Sequence, residues 1–145
     1  MSIEEYAKIH LVKEIEVVQK NDELNQYPKL SVAEKAIIYK YSEDGYADLN
    51  ERLRNDKPIG EFGIFLNDTL EKLPNYEGLV FRGVNLSPSQ IEIYTDAYEH
   101  DTAVVEKAFV STSIKKSIAY QFGRCLFAID SIKGKNISSF TKHKE

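Results

Sequence analysis

Apolar residues recur at helical spacing from the start of the chain. Ile3, Tyr6, Ile9, Val12, Ile15 and Val18 alternate with Glu, Lys and Gln, a pattern that predicts helix through this stretch. "NDELNQYPKL" interrupts with Asn, Asp and Pro. "LSVAEKAIIYKYS" then opens with Ser31 and Glu34, spaced as a capping box ahead of Ala36, Ile37 and Ile38. "EDGYADLNERLRN" predicts a turn into another helix, and "GEFGIFLNDTLEKLPNYEG" a short helix ending at Pro74. The second half changes period. Residues 78–84 "GLVFRGV", 107–113 "KAFVSTS", 125–130 "CLFAID" and 135–138 "KNIS" are short β-branched and aromatic runs bounded by turn formers, which predicts four strands. "SPSQIEIY" and "KKSIAYQF" between them suit short helices. The pattern predicts an α+β chain, a helical N-terminal half packed on a small, mostly antiparallel sheet. After "KNIS" the sheet has no further strand to use, so its edge is expected to lack its last strands.

Composition narrows the classes without choosing among them. At 145 residues the chain is most simply a single domain, residues 1–145, with a core of its own. Hydrophobic residues at 42% and charged residues at 29% are ordinary for a soluble globular protein. The 19 Lys and Arg against 23 Asp and Glu leave a net charge of −4, which points to neither nucleic acid nor an anionic membrane as partner. No apolar run approaches the ~20 residues of a membrane span. The opening "MSIEEYAKIH" lacks the cationic and apolar regions of a cleavable signal peptide, so the expected location is the cytoplasm, or delivery as an effector by another route. The single Cys125 allows no internal disulfide and no metal site by itself.

Three polar features lie in or beside the predicted strands. Arg82 follows Leu79, Val80 and Phe81 and precedes Gly83. An arginine at a strand end often reaches solvent or pairs with a carboxylate. It can equally present a fixed fork of donors to a phosphate or carboxylate, with Gly83 allowing close approach of a ligand to the backbone. Ser111, Thr112 and Ser113 follow "AFV". They can satisfy the strand end and cap the next helix, or orient a neighbouring catalytic side chain. Arg124, after Gly123, sits between a helix and a strand, where simple solvation is the alternative to a role. His10, His100 and His143 stand far apart, and no phosphate-loop pattern or metal-ligand spacing is present in the sequence.

Taken in order, "YS…Y..LN..LR", "LVFRG", "FVSTS", "FGR" and "IS.F" before a terminal acid resemble the mono-ADP-ribosyltransferases. More narrowly, the order is similar to the bacterial toxin type with an Arg, a Ser-Thr-Ser and an E-x-E or Q-x-E signature. The resemblance covers roughly residues 30 to 145. It implies the ADP-ribosyltransferase fold and NAD as co-substrate, with no metal required. It also implies a protein substrate, with an immunity or antitoxin protein as a common further partner. It implies that Arg82 holds NAD through its phosphate and ribose region, beside Gly83, and that Ser111 keeps the catalytic glutamate placed. Asn50 and Arg54 match the family's NAD-contacting Asn and Arg, and Arg124 the arginine of the phosphate–nicotinamide loop. Phe140 falls in the loop that helps to recognise the protein substrate.

The ending "FTKHKE" admits two registers under that resemblance. In one, Glu145 is the catalytic glutamate and His143 stands where the family has Glu or Gln, a position tied to substrate recognition. In the other, the loop is longer and the acid pair lies beyond residue 145. The functional expectation is transfer of ADP-ribose from NAD to a protein side chain by a toxin or effector. The alternative is a catalytically inactive module of the same fold that binds NAD or a protein.

Overall fold

Ser2 and Ser31 each begin a helix by the same reciprocal pair of bonds. The Ser2 hydroxyl accepts from Glu5 N at 3.1 Å while the Glu5 carboxylate accepts from Ser2 N at 3.0 Å. Ser31 and Glu34 repeat the pair at 3.1 and 3.0 Å, as their spacing predicts. In the computed structural model, which describes residues 1–21 and 30–141, these caps start α1 (Ile3–His10) and α3 (Val32–Lys40). Between them lies α2 (Val12–Lys20). The chain divides into two compact units, Met1–Tyr76 with the segment from Lys133, and Glu77–Ile132.

The first unit is helical. Helix breaks at Leu11 between α1 and α2, and the buried stripe across the break is Ala7, Leu11, Glu14 and Val18. The every-third-residue set expected from the sequence is not that stripe: Ile9 is 61% and Val12 54% exposed. Steps of three lag the 3.6-residue turn, so six of them wander around the helix, whereas steps of four, three and four stay on one face. Residues 33–38 of α3 are all buried, on every side of the helix. It packs against α1, α2 and α5 (Gly60–Glu71), and a helix enclosed on all sides needs no polar face.

The turn expected near residues 43–45 is instead a π-helical segment, Tyr41–Gly45, running without a break into α4 (Tyr46–Arg54). Lys40 anchors it, 2.8 Å from Asp44, 3.9 Å from Glu43 and 3.6 Å from the buried Glu14. Buried Glu34 is paired with Lys72 at 2.6 Å. Lys135 donates to the Leu73 carbonyl at 2.7 Å and to Asn75 Oδ1 at 2.8 Å. A 3₁₀ turn, Ser138–Phe140, touches α3 with Phe140 only 1% exposed.

The second unit carries most of a two-stranded antiparallel sheet, β1 (Asn75–Val84) and β2 (Cys125–Lys135). Helix α6 (Pro88–Glu99) starts from a third capping box, Ser87 with Gln90, and carries Pro at its first position. A short α7 (Lys116–Ala119) continues as a 3₁₀ turn, Tyr120–Phe122. The α+β class matches the expectation, but the strand count does not. Residues 107–113 form no strand; they meet β1 at one antiparallel bridge, Phe81 with Ser113. The propensity of "AFV" is satisfied only where a partner edge lies alongside, and here one residue finds it. "KNIS" does not start a separate strand either. Its Lys135 ends β2, which runs on through Asp130 and Ser131 because β1 reaches back to Asn75 and offers partners over that length.

Candidate active site

The C-terminal end of β1 is where the second unit draws its polar residues together. Two glycines make this close packing available. A Cβ at Gly83 would lie 1.7 Å from the Ala119 carbonyl oxygen, and one at Gly123 would lie 2.3 Å from the Val84 carbonyl carbon. No side chain fits at either point, so the end of β1 and the segment 119–123 run backbone against backbone. Asn85 Oδ1 then accepts from Arg124 N at 2.9 Å, which ties the next residues as well. On the other side Phe81 N donates to Ser113 O at 2.7 Å and Ser113 N to Phe81 O at 2.8 Å, fixing the hydroxyl triplet beside Arg82.

These three segments enclose a cavity of about 280 Å³ whose lining includes Arg82, Gly83, Ser111, Ser113, Ala119 and Phe122. That is near the lower limit of ordinary small-molecule pockets, roughly 300–1,000 Å³. It has room for one end of an extended ligand. The three hydroxyl residues are not equivalent. Ser113 is buried, and its Oγ accepts from Lys115 N at 3.1 Å, the local satisfying role open to any strand-end serine. Ser111 is exposed on the cavity side of the bridge, and no hydrogen bond ties its hydroxyl to the described residues. Arg82 is half-buried, is among the residues that line the cavity and forms no ion pair among the described residues.

The second unit also holds a feature that the sequence reading did not single out. Tyr94 of α6 rests its ring on Phe127 of β2, with centroids 4.9 Å apart, and donates its hydroxyl to Glu106 Oε1. The bond to Glu106 and burial both hold the Tyr94 pKa above its ordinary value, while the positive charge of Arg82 pulls it down. Twelve residues separate Tyr94 from Glu106, so no spacing rule connects them.

The structure brings Arg82, Gly83 and Ser111 to one cavity. Arg124 lies alongside but does not line it; its side chain is exposed. Asn50 and Arg54 belong to the first unit. There Asn50 is 9% exposed, with its amide 3.5 Å from the Tyr41 hydroxyl, and Arg54 is exposed at the end of α4. Phe140, expected to recognise a partner, is buried against α3 and presents no ring surface of its own. His143 and Glu145 lie outside the described residues. Among the described residues no cluster of three or more His, Cys, Asp or Glu could hold a metal ion, and no helix is long and apolar enough to cross a membrane.

No family model matches the chain. A Mycobacterium avium (strain 104) protein named as an NAD(+)–arginine ADP-ribosyltransferase, Mav, is 34% identical over 116 residues. The match takes in 76% of this chain, which spans 14% of that protein's length. The ADP-ribosyltransferase HopU1 of Pseudomonas syringae pv. Tomato DC3000 superposes with a TM-score of 0.74 at 18% identity, over 99% of this chain and 74% of its own. Exoenzyme S from Pseudomonas aeruginosa, solved with human 14-3-3 protein beta and bound to carba-NAD, gives 0.68 at 22% identity, over 98% and 70%. The Xanthomonas axonopodis pv. citri type III effector XopAI gives 0.65 at 17%, over 97% and 63%. These structures share the fold of this chain.

Proposed function

The chain belongs to the mono-ADP-ribosyltransferase family, and from that premise we propose that it binds NAD and transfers ADP-ribose to a protein side chain, acting as a bacterial effector or toxin. The observation that carries the proposal is the cavity joining Arg82, Gly83 and Ser111. The pyrophosphate of NAD is dianionic, and an unpaired guanidinium on a rigid strand is a suitable donor for it. Gly83 lets the end of β1 pack directly against the Ala119 carbonyl, and both residues line the cavity. Arg124, Asn50 and Arg54 are proposed as further NAD contacts. The Asn50 amide acts by holding Tyr41 as much as by reaching ligand.

The chemistry proposed is cleavage of the bond between nicotinamide and ribose C1. Nicotinamide leaves with the bonding electron pair, and positive charge develops on C1 and the ring oxygen. A carboxylate held beside the ribose stabilises that charge electrostatically. Glu145 is the proposed carboxylate, with the open Ser111 hydroxyl as its positioning partner. The acceptor then bonds to C1 and loses a proton. His143 and Phe140 are proposed to influence acceptor choice, Phe140 by anchoring the loop rather than by contact. Arginine is the acceptor to test first, because the Mycobacterium relative is named for it.

Nicotinamide release and transfer to agmatine, measured on this chain and on its Arg82→Ala and Glu145→Gln variants, test the proposal. Turnover that both substitutions remove supports it. Turnover unaffected by Arg82→Ala refutes the site. Glu145→Gln with full activity removes Glu145 from the mechanism. A non-catalytic NAD-binding module is the second reading, favoured by His143 where the family resemblance has an acid or amide. NAD binding with no nicotinamide release supports it.

A further inference from the structure

We propose that the rim of the cavity is the docking surface for the acceptor protein, and that it takes an acidic segment with apolar residues among its carboxylates. The inference rests on the reading above of the cavity as the transferase site, and it names the class of chain that this site receives. Charge along the sequence is the first observation. The whole chain carries −4, yet residues 107–129 hold four Lys and Arg and no Asp or Glu. Lys115, Lys116 and Arg124 of this stretch are exposed, and none of them is ion-paired among the described residues. Apolar exposure in the same stretch is the second observation. Phe122 lines the cavity and is more than half exposed, so it stands at the mouth; Ile114 and Tyr120 are more than half exposed as well. Both follow directly on lining residues, Ser113 and Ala119, and consecutive Cα atoms are only about 3.8 Å apart. Lys115 N donates to Ser113 Oγ at 3.1 Å, and Lys116 Nζ sits 5.8 Å from the centre of the Tyr120 ring. Cations and apolar groups thus share one rim.

The rim is held in place before any partner arrives. The bridge of Phe81 with Ser113, and the close approaches of Gly83 to Ala119 and of Gly123 to Val84, tie both of its segments to the end of β1. A partner that binds such a surface orders little of it on docking. Opposite charge steers an acidic segment towards the rim, and covering Ile114, Tyr120 and Phe122 removes apolar surface from water. A nucleic acid would answer to the same charge, but the rim suits a protein better. Lys116 takes up one face of the Tyr120 ring, which leaves less of it for a base to stack on. Ile114 offers nothing to a phosphate, and the net charge of −4 opposes a long polyanion. Neither Lys115 nor Lys116 lines the cavity, so the surface can be altered without altering the cavity wall.

The test uses two fluorescent peptides, each with one arginine set among leucines, the first carrying glutamates and the second lysines in their place. Binding to the full chain is read by anisotropy, and modification by transfer of labelled ADP-ribose from NAD. The acidic peptide is expected to bind about tenfold more tightly than its lysine counterpart, the scale of two exposed ion pairs, and to lose most of that margin at about 0.5 M salt. The doubly substituted Lys115→Glu, Lys116→Glu chain should lose the preference, while nicotinamide release to water and transfer to agmatine stay within about twofold, because agmatine has no acidic flank to dock. Lys116→Gln alone should lose part of the preference, and it reads the effect if the double variant melts early. Equal binding of the two peptides, a preference that survives charge reversal, or agmatine transfer that falls in step with it overturns the inference. So does an oligothymidylate that displaces the acidic peptide at lower concentration than the unlabelled peptide does, since the rim would then belong to a nucleic acid. Preference for the acidic peptide without any nicotinamide release leaves the surface standing and refutes the transferase reading; agmatine transfer without the preference does the reverse.

Discussion

Replacing Gly83 with alanine places a methyl group 1.7 Å from the Ala119 carbonyl oxygen and 2.7 Å from its carbon. A carbon and a carbonyl oxygen settle at about 3.3 Å even in a favourable contact. The two backbones must therefore part by roughly one and a half ångström. Neither atom belongs to a flexible side chain that could turn aside. Overpacking a well-filled site by a methyl costs about 1–3 kcal/mol, and with backbone on both sides the upper part of that range, about 2–3 kcal/mol, applies. For a chain of this size that lowers the melting temperature by roughly 6–12 °C. The ligand effect is separate, because Ala119 and Phe122 line the same cavity as Arg82. Moving that wall by about an ångström is expected to weaken NAD binding roughly tenfold or more. Gly60→Ala is the control. It has nothing within 4 Å, but its φ of +70° penalises any side chain. It should cost about 1–2 kcal/mol by backbone strain alone and leave NAD binding unchanged. Circular dichroism melts and calorimetry on the two variants read both effects. A Gly83→Ala protein that melts within 2 °C of wild type (about the scatter expected of a surface change) and binds NAD equally would refute the reasoning.

Two further outcomes follow from the first unit. Burial raises the Glu34 pKa, but the hydrogen bonds from Lys72 and Ser31 outweigh it and leave the pKa below the ordinary value of 4.5. A depressed carboxylate contributes stability that is complete above that ordinary value and is lost as pH falls through the folded one. Glu34→Gln should therefore flatten the acid limb of stability against pH, measured by urea unfolding between about pH 3 and 6; an unaltered acid limb would count against it. Phe140→Ala should lose about 3–5 kcal/mol of stability because the ring is only 1% exposed. Equilibrium urea unfolding checks this, and a loss below about 1 kcal/mol would mean the ring is not part of the packing.

The local features of this chain are legible one residue at a time. Ser31 with Glu34 closes its capping box because both partners lie within one turn. Val80, Phe81 and Arg82 fall in a strand, and so do Leu126, Phe127 and Ile129, because β-branched and aromatic runs bounded by turn formers have few other uses. Arg82, Gly83 and Ser111 could be named from the sequence because the order of short motifs carried them, and the structure does bring those three to one cavity.

What stayed hidden depends on partners far away in sequence. "KAFVSTS" has the composition of a strand, but whether it becomes one is decided by how much of β1 lies beside it, and one bridge at Ser113 is all it meets. Phe140 has the look of a loop aromatic, and its burial is decided by α3, about a hundred residues earlier. The Tyr94–Glu106 bond crosses from helix to loop with no spacing to announce it. Gly83 reads in the sequence as room for a ligand, yet it is the Ala119 carbonyl that occupies the space a side chain would need. The sequence by itself determined which segments could be helix or strand, since propensity, capping and period act within a few residues. The tertiary structure alone decided which faces were covered and which charges were left open, since burial and electrostatic pairing exist only between segments once they are packed.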